Sequence, residues 1–416
     1  MWFDRTPPER LRALAEQLES VLPANAPVGP APEPIASASY WGGYADVSGP
    51  AGTIRVPGCG FEILEAMLKA WRHLPGAGLY GFLSYDLAGE IEDLGPTPAE
   101  TFRFPKFHFG LYGAEPVSEP RPPGSGLRLP ISLSSRPDRA AFEASVARTV
   151  AAIHAGDIFQ TNLCRSIEAR IEPGSEGDLF HRMRAISPAR YEAFFRVDPD
   201  RAILSISPEL FLKVEAGVVE TRPIKGTRPR GQTPEQDDAL RRELCASEKD
   251  RAELAMIVDV ARNDLGRVCE TGSVEVAAHA EMMTLPTVHH LFSTVRGRLR
   301  EGTRPVDLLR AAFPAASITG APKIEAMRIA VREEGQLRGP CMGAIGWISM
   351  DGRMELSVAI RTAFVIGDRV RYYAGCGITA GSDPASEFEE SQHKAAAFVR
   401  ALGTEPRPPG SGQRAN

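Results

Sequence analysis

The sequence predicts an α+β fold in which antiparallel sheets form the floor of a binding site. Turn dipeptides at 351–352 (Asp-Gly) and 367–368 (Gly-Asp) separate strand-like segments near the C-terminus, and such dipeptides favour hairpins over parallel crossovers. Another hairpin is predicted over 211–224, with its turn at 215–217. Because segments with helical periodicity alternate with these strands, we expect helices to cover the sheets.

Individual elements follow from the spacing of apolar residues. Residues 138–155 carry apolar side chains at helical spacing and predict a helix, whereas 158–169 is rich in branched residues and predicts a strand. Towards the C-terminus we expect consecutive strands over 342–348, 353–365 and 369–374.

Composition divides the 416-residue chain into two folded parts. Pro, Gly and Ser concentrate in residues 118–135, which we interpret as a linker or a long surface loop. This segment separates an N-terminal α+β region, 1–117, which we expect to contact the core, from the core itself at 136–402. Residues 403–416 are expected to form a flexible C-terminal tail.

Charge and cysteine content exclude several classes of protein. The chain has 48 basic and 53 acidic residues, a net charge of −5, so a nucleic-acid partner is not expected. We expect no membrane association, because there is no apolar run of about 20 residues, and the N-terminus lacks the pattern of a signal peptide. The six scattered cysteines include no CxxC pair, which argues against disulfides and a Cys-ligated zinc site and favours a cytoplasmic protein.

Paired carboxylates occur at two predicted helix starts. A helix beginning after Ser247 places Asp250 and Glu253 one above the other, and a later helix repeats this spacing with Glu387 and Glu390. Two such pairs facing each other would repel unless a cation lay between them, and Mg²⁺ binds one or two carboxylates plus water. Acidic residues in a first helical turn are also common as solvated partners of the helix dipole, so both interpretations stay open.

A lysine near three arginines is the second candidate. Lys225 lies at the end of a predicted strand, close in sequence to Arg222, Arg228 and Arg230. A lysine amine is a nucleophile only when it is neutral, and burial and neighbouring cations both lower its pKa. A solvated basic loop and an anion cradle are the alternatives.

Two segments rich in small residues could bring backbone amides to a ligand. Residues 313–323 predict a tight turn that opens a helix at Pro322, and amides at a helix start bind carboxylates or phosphates. Gly375 and Gly377 would let a carboxylate approach a strand closely. A plain turn and a plain strand kink are the alternatives.

In their order along the chain, these motifs resemble those of the chorismate-utilising enzymes. The motifs are SPELF (207–211), PIKGT (223–227), SEKDRAELAMIVDVARNDLGRV (247–268), TVHHL (287–291), FPAASITGAPK (313–323), IRT (360–362) and AGCGI (374–378). The resemblance covers roughly 138–400, and weaker similarity extends over 78–94. It implies a large α+β domain in which two antiparallel sheets form a sandwich, with helices outside and the active site in the cleft between the sheets.

Two positions distinguish the branches of this family. Lys225 resembles the aminodeoxychorismate synthases (component I), whereas anthranilate synthases have alanine there. Gln160 stands where isochorismate and salicylate synthases have a lysine that activates water. The resemblance therefore implies that chorismate is aminated with ammonia at ring carbon 4, and anthranilate formation is the alternative.

The resemblance also implies roles for individual residues. Glu209 would protonate the departing hydroxyl, and Lys225 would add covalently to the ring. Magnesium would be held by Glu253 and Glu390, with Asp250 and Glu387 acting through water. Substrate contacts are implied for Gln160, Gly226, Thr227, His289, Thr319, Gly320, Arg361, Gly375, Gly377 and Lys394.

A partner subunit is expected for the ammonia supply. The sequence contains no glutaminase signature such as GxCxGxQ. The resemblance therefore implies a separate glutamine amidotransferase subunit that delivers ammonia to this chain.

Overall fold

The computed structural model describes residues 6–22, 33–74, 76–96, 98–99, 102–113 and 133–403. The α-helices of these ranges are α1 (Pro8–Glu19), α2 (Gly60–Ala70), α3 (Arg139–Ala155), α4 (Glu176–Ile186), α5 (Pro234–Ala246), α6 (Glu248–Gly266), α7 (Pro305–Ala312), α8 (Lys323–Glu334) and α9 (Pro384–Ala401). Short 3₁₀ turns cover Tyr85–Glu90 and Ala316–Ile318.

The strands in the same ranges are short to medium in length. They are β1 (Ala36–Tyr40), β2 (Tyr44–Gly49), β3 (Gly52–Pro57), β4 (Gly78–Leu83), β5 (Phe107–Tyr112), β6 (Leu133–Arg136), β7 (Gln160–Arg170), β8 (Tyr191–Asp198), β9 (Arg201–Ser207), β10 (Leu210–Glu215), β11 (Val218–Arg222), β12 (Ile224–Pro229), β13 (Glu275–Thr284), β14 (Val288–Arg298), β15 (Gly320–Ala321), β16 (Ala344–Ser349), β17 (Met354–Val358), β18 (Thr362–Ile366) and β19 (Arg369–Ile378).

The strands form two antiparallel sheets, which confirms the predicted α+β class. The larger sheet has 12 described strands in the order β12-β14-β11-β10-β17-β16-β4-β5-β1-β2-β3, with β13 also paired to β14. The smaller sheet has seven described strands in the order β15-β7-β19-β18-β9-β8, with β6 also paired to β7. Among the described helices, none is both long and apolar enough to span a bilayer.

The main hydrophobic core lies between the inner faces of the two sheets. Phe82 and Leu356 of the larger sheet belong to the same buried cluster as Ile203 and Phe364 of the smaller sheet. A second cluster covers the outer face of the smaller sheet, where the rings of Tyr372 and Phe398 of α9 stack at 4.6 Å. The two sheets, packed through the main core, form the predicted sandwich, and helices cover its outside.

The larger sheet continues into the N-terminal region. Strand β4 pairs with β16 of the core from Gly78 opposite Ser349 to Leu83 opposite Ala344. The predicted linker, 118–135, lies outside the described residues up to 132, and its last three residues belong to β6. The predicted tail lies outside them from residue 404 onward.

Locally specified helix starts agree with the sequence. The hydroxyl of Ser247 accepts a hydrogen bond from the amide of Asp250 at 3.3 Å. The carboxylate of Asp383 accepts one from the amide of Ser386 at 2.9 Å, ahead of the helix whose first residue is Pro384. Each cap satisfies an amide that has no partner within its helix.

The single strand predicted over 353–365 is wrong. Strand β17 ends at Val358 in the larger sheet, and β18 begins at Thr362 in the smaller sheet. Between them the chain passes through Arg361, whose φ is +51°. A left-handed conformation at a residue other than glycine is costly and is often found at a functional site.

A second crossover between the sheets lies beside the first. Strand β9 of the smaller sheet leads into β10 of the larger sheet through Glu209. The amide of Val358 donates to the carbonyl of Glu209 at 3.0 Å, and the amide of Ile206 donates to the carbonyl of Arg361 at 3.1 Å. The two crossovers therefore hold Glu209 and Arg361 at the junction of the sheets.

Candidate active site

Glu209 is a buried acid at this junction. Its exposed fraction is 3%, and burial raises the pKa of its carboxyl to about 7, although Ser317, Lys225 and Arg361 oppose the shift. The hydroxyl of Ser317 faces the carboxyl without meeting full hydrogen-bond geometry. Near neutral pH the group is therefore partly protonated and able to donate a proton.

Lys225 points into the cleft from the larger sheet. A Cβ placed on Gly377 of β19, in the opposite sheet, would lie 3.3 Å from Nζ of Lys225. Burial lowers the pKa of this amine, and the charge of Lys394 acts in the same direction, while Glu253 opposes it. The side chain thus lies between the sheets, partly buried, and its charged form is disfavoured.

The three arginines near Lys225 do not have the predicted effect on its pKa. Each is paired with a carboxylate: Arg222 with Glu220 (2.6 Å), Arg228 with Glu243 (2.7 Å) and Arg230 with Asp237 (2.7 Å). The cation that lowers the pKa of Lys225 is Lys394, which is remote in sequence. Sequence proximity suggested the wrong cations.

Gly226 sets the direction of Lys225. Its φ is +75°, and the pairing of β12 with β14 shifts register between Lys225 and Thr227. A Cβ on Gly226 would lie 3.0 Å from Cβ of Asp250, at the start of α6. Both the backbone conformation and the closeness of α6 require glycine here.

The smaller sheet supplies the opposite wall. Gln160 is buried, and a Cβ on Gly377 would lie 2.5 Å from its Nε2, so a side chain at 377 would displace the Gln160 amide from its present position. Nζ of Lys394 donates to the carbonyl of Gly375 at 2.9 Å. The predicted substrate contacts Gln160, Gly375, Gly377 and Lys394 therefore share one wall.

His290, rather than the predicted His289, faces this cleft. The two neighbours point to opposite faces of β14. Nε2 of His289 donates to the carboxylate of Asp237 of α5 at 2.9 Å, and its Nδ1 accepts from the hydroxyl of Thr284 at 3.0 Å. Nε2 of His290 lies 2.9 Å from a guanidinium nitrogen of Arg361.

Thr227 joins the site through His290. Its hydroxyl lies 2.9 Å from Nδ1 of His290, and the carbonyl of Gly226 is 3.3 Å from the same nitrogen. Burial lowers the pKa of His290 to about 3, and Arg361 adds to this shift. The imidazole is therefore neutral.

The small-residue segment 313–323 is mainly structural. The Thr319 hydroxyl donates within its own turn, to the carbonyls of Ala315 (3.2 Å) and Ala316 (3.1 Å). A Cβ on Gly320 would lie 2.1 Å from the carbonyl oxygen of Gln160. The structure thus gives Thr319 and Gly320 a role in shaping the cleft, while Ser317 of the same segment faces Glu209.

Carboxylates from α6 and α9 meet beside Lys225. Burial raises the pKa of Glu253, and the charge of Glu390 contributes to that rise. Burial would also raise the pKa of Glu390, but the ion pair with Lys394 at 2.7 Å outweighs it and lowers the pKa. Lys249, which the sequence did not single out, lies close enough for its charge to oppose the rise in the pKa of Glu253 and Glu387.

The donor set fits a hard divalent cation. Burial and the charge of Glu390 raise the pKa of Glu387, and Oε2 of Glu387 is buried without a hydrogen-bond partner. Mutually repelling carboxylates with an unsatisfied oxygen suit Mg²⁺, which prefers oxygen ligands. Asp250 also forms an ion pair with Arg228 at 3.2 Å.

Unsatisfied polar atoms concentrate at this cleft. Within the described residues, seven buried side-chain polar atoms lack a hydrogen-bond partner. Four of them belong to the residues just described: Oε1 of Gln160, Oγ of Ser317, Nη1 of Arg361 and Oε2 of Glu387. Since buried polar groups are otherwise nearly always paired, this concentration indicates a binding site for a polar ligand.

Comparisons with known proteins identify the family of the chain. A family model described as chorismate binding enzyme matches residues 61–400. An aminodeoxychorismate synthase of Streptomyces griseus is 48% identical over 253 residues, 61% of this chain and 35% of that protein. Component 1 of the aminodeoxychorismate synthase of Salmonella typhimurium is 37% identical over 349 residues, 78% of this chain and 76% of that protein.

A solved structure extends the comparison to the fold. The crystal structure of anthranilate synthase component I from Streptococcus pneumoniae TIGR4 matches with a TM-score of 0.75 at 30% identity, covering 88% of this chain and 91% of that one. The chain spans about a third of the length of the Streptomyces griseus relative. The family match spans both crossovers, the smaller sheet and every strand of the larger sheet except β1, β2 and β3, and the chain therefore belongs to the chorismate binding enzyme family.

Proposed function

We propose that this chain is an aminodeoxychorismate synthase component that converts chorismate and ammonia to 4-amino-4-deoxychorismate. The observation that carries the proposal is the position of Lys225, a partly buried amine with a lowered pKa in the cleft that also holds the acid Glu209. The names of the Streptomyces griseus and Salmonella typhimurium relatives support the same activity. The product would serve p-aminobenzoate and folate synthesis.

The proposed reaction divides one difficult substitution into two steps. The neutral amine of Lys225 attacks ring carbon 2 while the bond between carbon 4 and its hydroxyl breaks, and Glu209 gives its proton to the departing oxygen, so that water leaves. Ammonia then attacks carbon 4, and the bond between the ring and Lys225 breaks. The carboxylate of Glu209 takes up the proton that the new amine releases.

The walls of the cleft suit a dicarboxylate. Nη1 of Arg361 is buried without a partner, while its Nη2 is occupied by His290. Gly375 and Gly377 leave the opposite wall without side chains, so a carboxylate can approach the backbone there. We assign substrate positioning to Arg361 and to this glycine wall.

Magnesium is part of the proposal. Glu253 and Glu390 would hold the ion, and Asp250 and Glu387 would act through water. When bound, Mg²⁺ would polarise the ring carboxylate as a Lewis acid and draw electrons away from carbon 2.

A glutamine amidotransferase is the proposed partner. The Salmonella typhimurium relative is named component 1 of its synthase, which implies a further component, and this sequence has no glutaminase signature. Ammonium salts should therefore replace the partner in vitro.

Product identification tests the proposed function. The purified chain is incubated with chorismate, MgCl₂ and an ammonium salt, and the products are separated and weighed by mass spectrometry. We expect 4-amino-4-deoxychorismate without release of pyruvate. If the chain forms no aminated product, the proposal is wrong.

Anthranilate synthesis is the second candidate. It is favoured by the similarity to the anthranilate synthase component I of Streptococcus pneumoniae. That reaction would add elimination of pyruvate to the same amination. Anthranilate fluorescence together with stoichiometric pyruvate would select this alternative.

A further inference from the structure

Cys376 lies on the outer face of the glycine wall. Because side chains alternate along a strand and Gly375 and Gly377 face the cleft, Cys376 between them points the other way, towards α9. It is fully buried, and its thiol donates to the backbone carbonyl of Glu387 at 3.2 Å. The sulfur therefore lies directly beneath the helix that carries Glu387 and Glu390.

The thiol and the two carboxylates form a compact donor group. One ligand atom from each of Cys376, Glu387 and Glu390 lies within 4.8 Å of the others, and in the described parts of the chain no second group of three such donors is this compact. The spacing of cysteines in the sequence argued against a Cys-ligated zinc site. The fold assembles a donor group differently, from one thiol on a strand and two carboxylates on a helix.

Glu387 supplies independent evidence for a ligand. Its exposed fraction is 7%, and Oε1 accepts a hydrogen bond from the Ser382 hydroxyl at 2.6 Å. Oε2 is buried and has no hydrogen-bond partner. An unpaired carboxylate oxygen in a buried position is costly and is satisfied by a bound cation.

We propose that Cys376, Glu387 and Glu390 form a site for zinc or another thiophilic divalent cation, and that a cation bound at this site prevents magnesium from binding. Thiolate and carboxylate ligands with a free position suit Zn²⁺, whereas Mg²⁺ takes oxygen ligands only. On binding, the thiol releases its proton to solvent, and Glu390 exchanges its ion pair with Lys394 for the metal.

Competition follows because Glu390 serves both ions. The competition between zinc and magnesium rests on the proposed function, which assigns Glu390 to magnesium. Zinc binding itself does not, since it requires neither chorismate nor ammonia. Zinc would then inhibit the enzyme by removing a magnesium ligand rather than by blocking the cleft.

Equilibrium dialysis of the full chain against Zn²⁺ alone tests the site. The exposed thiol of Cys245 is first removed as Cys245→Ser, so that adventitious binding does not contribute. We expect one Zn²⁺ per chain, and an affinity about 100-fold weaker in Cys245→Ser/Cys376→Ser, because a ligand is lost. With Co²⁺ as the probe, a thiolate-to-cobalt absorption band should be present in the parent and absent in the double variant.

Two further variants complete the test. Cys245→Ser/Cys269→Ser removes another buried thiol, away from α9, and should bind Zn²⁺ as the parent does. Cys245→Ser/Glu387→Gln keeps Cys376 and an acceptor for Ser382, and should weaken zinc binding as Cys376→Ser does, so the test stands even if the serine variant fails to fold. Equal zinc binding by the parent and by the variants at Cys376 and Glu387, or no binding by the parent, would overturn the site.

Magnesium competition is measured separately, by isothermal titration without substrate. The apparent Mg²⁺ dissociation constant should rise in proportion to added Zn²⁺ in the parent. Zinc binding through Cys376 with unchanged magnesium affinity would overturn the sharing of Glu390. A product other than 4-amino-4-deoxychorismate in the ammonium assay would overturn the proposed function and would leave the zinc result standing.

Discussion

The guanidinium of Arg361 forms a hydrogen bond of 2.9 Å with Nε2 of the His290 imidazole. Since a guanidinium can only donate, Nε2 is the acceptor, and the proton lies on Nδ1, which faces Thr227 and Gly226. Burial and the charge of Arg361 keep the pKa of His290 at about 3, so the imidazole does not compete with Arg361 for an anion. This contact connects β14 of the larger sheet with the crossover to the smaller one.

The two adjacent histidines should respond differently to substitution. We expect His290→Ala to raise KM for chorismate about tenfold or more, because Arg361 loses the group that orients it. His289→Ala should leave KM unchanged and lower the melting temperature, since it removes the contact between β14 and Asp237. Steady-state kinetics and thermal unfolding of both variants separate the two roles, and a KM effect confined to His289→Ala would contradict this assignment.

Lys225→Ala should lose formation of 4-amino-4-deoxychorismate by about 1000-fold or more, because the covalent step has no other amine in place. Lys213→Ala, a partly exposed lysine of the same sheet that pairs with Glu215, is the matched control and should retain full activity. Mass spectrometry of the products decides. Unchanged turnover in Lys225→Ala would refute the adduct.

The pH profile should show the titration of Glu209. Burial raises its pKa to about 7, so the carboxyl is protonated below that value and ionised above it. Because the proposed step needs both the protonated acid and the neutral amine of Lys225, we expect kcat to fall about tenfold per pH unit once the pH exceeds the pKa values of both groups. Glu209→Gln should be nearly inactive at every pH, and a variant as active as the parent would exclude Glu209 as the acid.

Gly226→Ala should destabilise the fold by about 1–2 kcal/mol, since the left-handed backbone and the 3.0 Å approach to Asp250 both disfavour a side chain. Activity should fall with stability, because Lys225 precedes the shifted register. The control is Gly266→Ala in α6, where nothing lies within 4 Å of the added methyl, and it should be neutral or stabilising. Urea unfolding of both variants gives the comparison, and equal stabilities would contradict it.

The ion pair of Lys323 with Asp264 should stabilise the turn that carries Ser317. Nζ of Lys323 donates to the carboxylate of Asp264 at 2.5 Å and to the carbonyls of Ala312 and Pro314, each at 2.9 Å. Lys323→Met should cost about 3–5 kcal/mol, because Asp264 is left buried and unpaired. The double variant Lys323→Met/Asp264→Leu should recover most of that loss in thermal unfolding. If the single variant is as stable as the parent, the pair is not structural.

Features that depend on neighbouring residues were predicted well from the sequence. The helix that begins after Ser247 and the hairpin turn at 215–217 lie where expected, because a helix cap or a tight turn is specified by a few adjacent residues. The antiparallel α+β class follows from the same local turns. The motif order indicated the family, and the family match over 61–400 confirms it.

Features that depend on the packing of distant segments were not predicted. Residues 353–365 are apolar along most of their length, so nothing local reveals the change of sheet at Arg361. His289 and His290 differ only in which face of β14 they occupy, and that depends on register. The ion pairs of Arg228 and Arg230 with α5 could not be predicted either. Glu243 and Asp237 come close to these arginines only because α5 packs against β12.

The two walls of the cleft belong to different sheets, and this affects how new reactions could arise on the same fold. The amine and its supporting histidine belong to one sheet, and the glycine backbone and Lys394 belong to the other side. A substitution on the first layer can exchange one reagent for another while the surface that grips the acid groups stays intact. The residues that react and the residues that bind the substrate can therefore change independently. The two neighbouring crossovers between the sheets keep the two groups in position relative to each other.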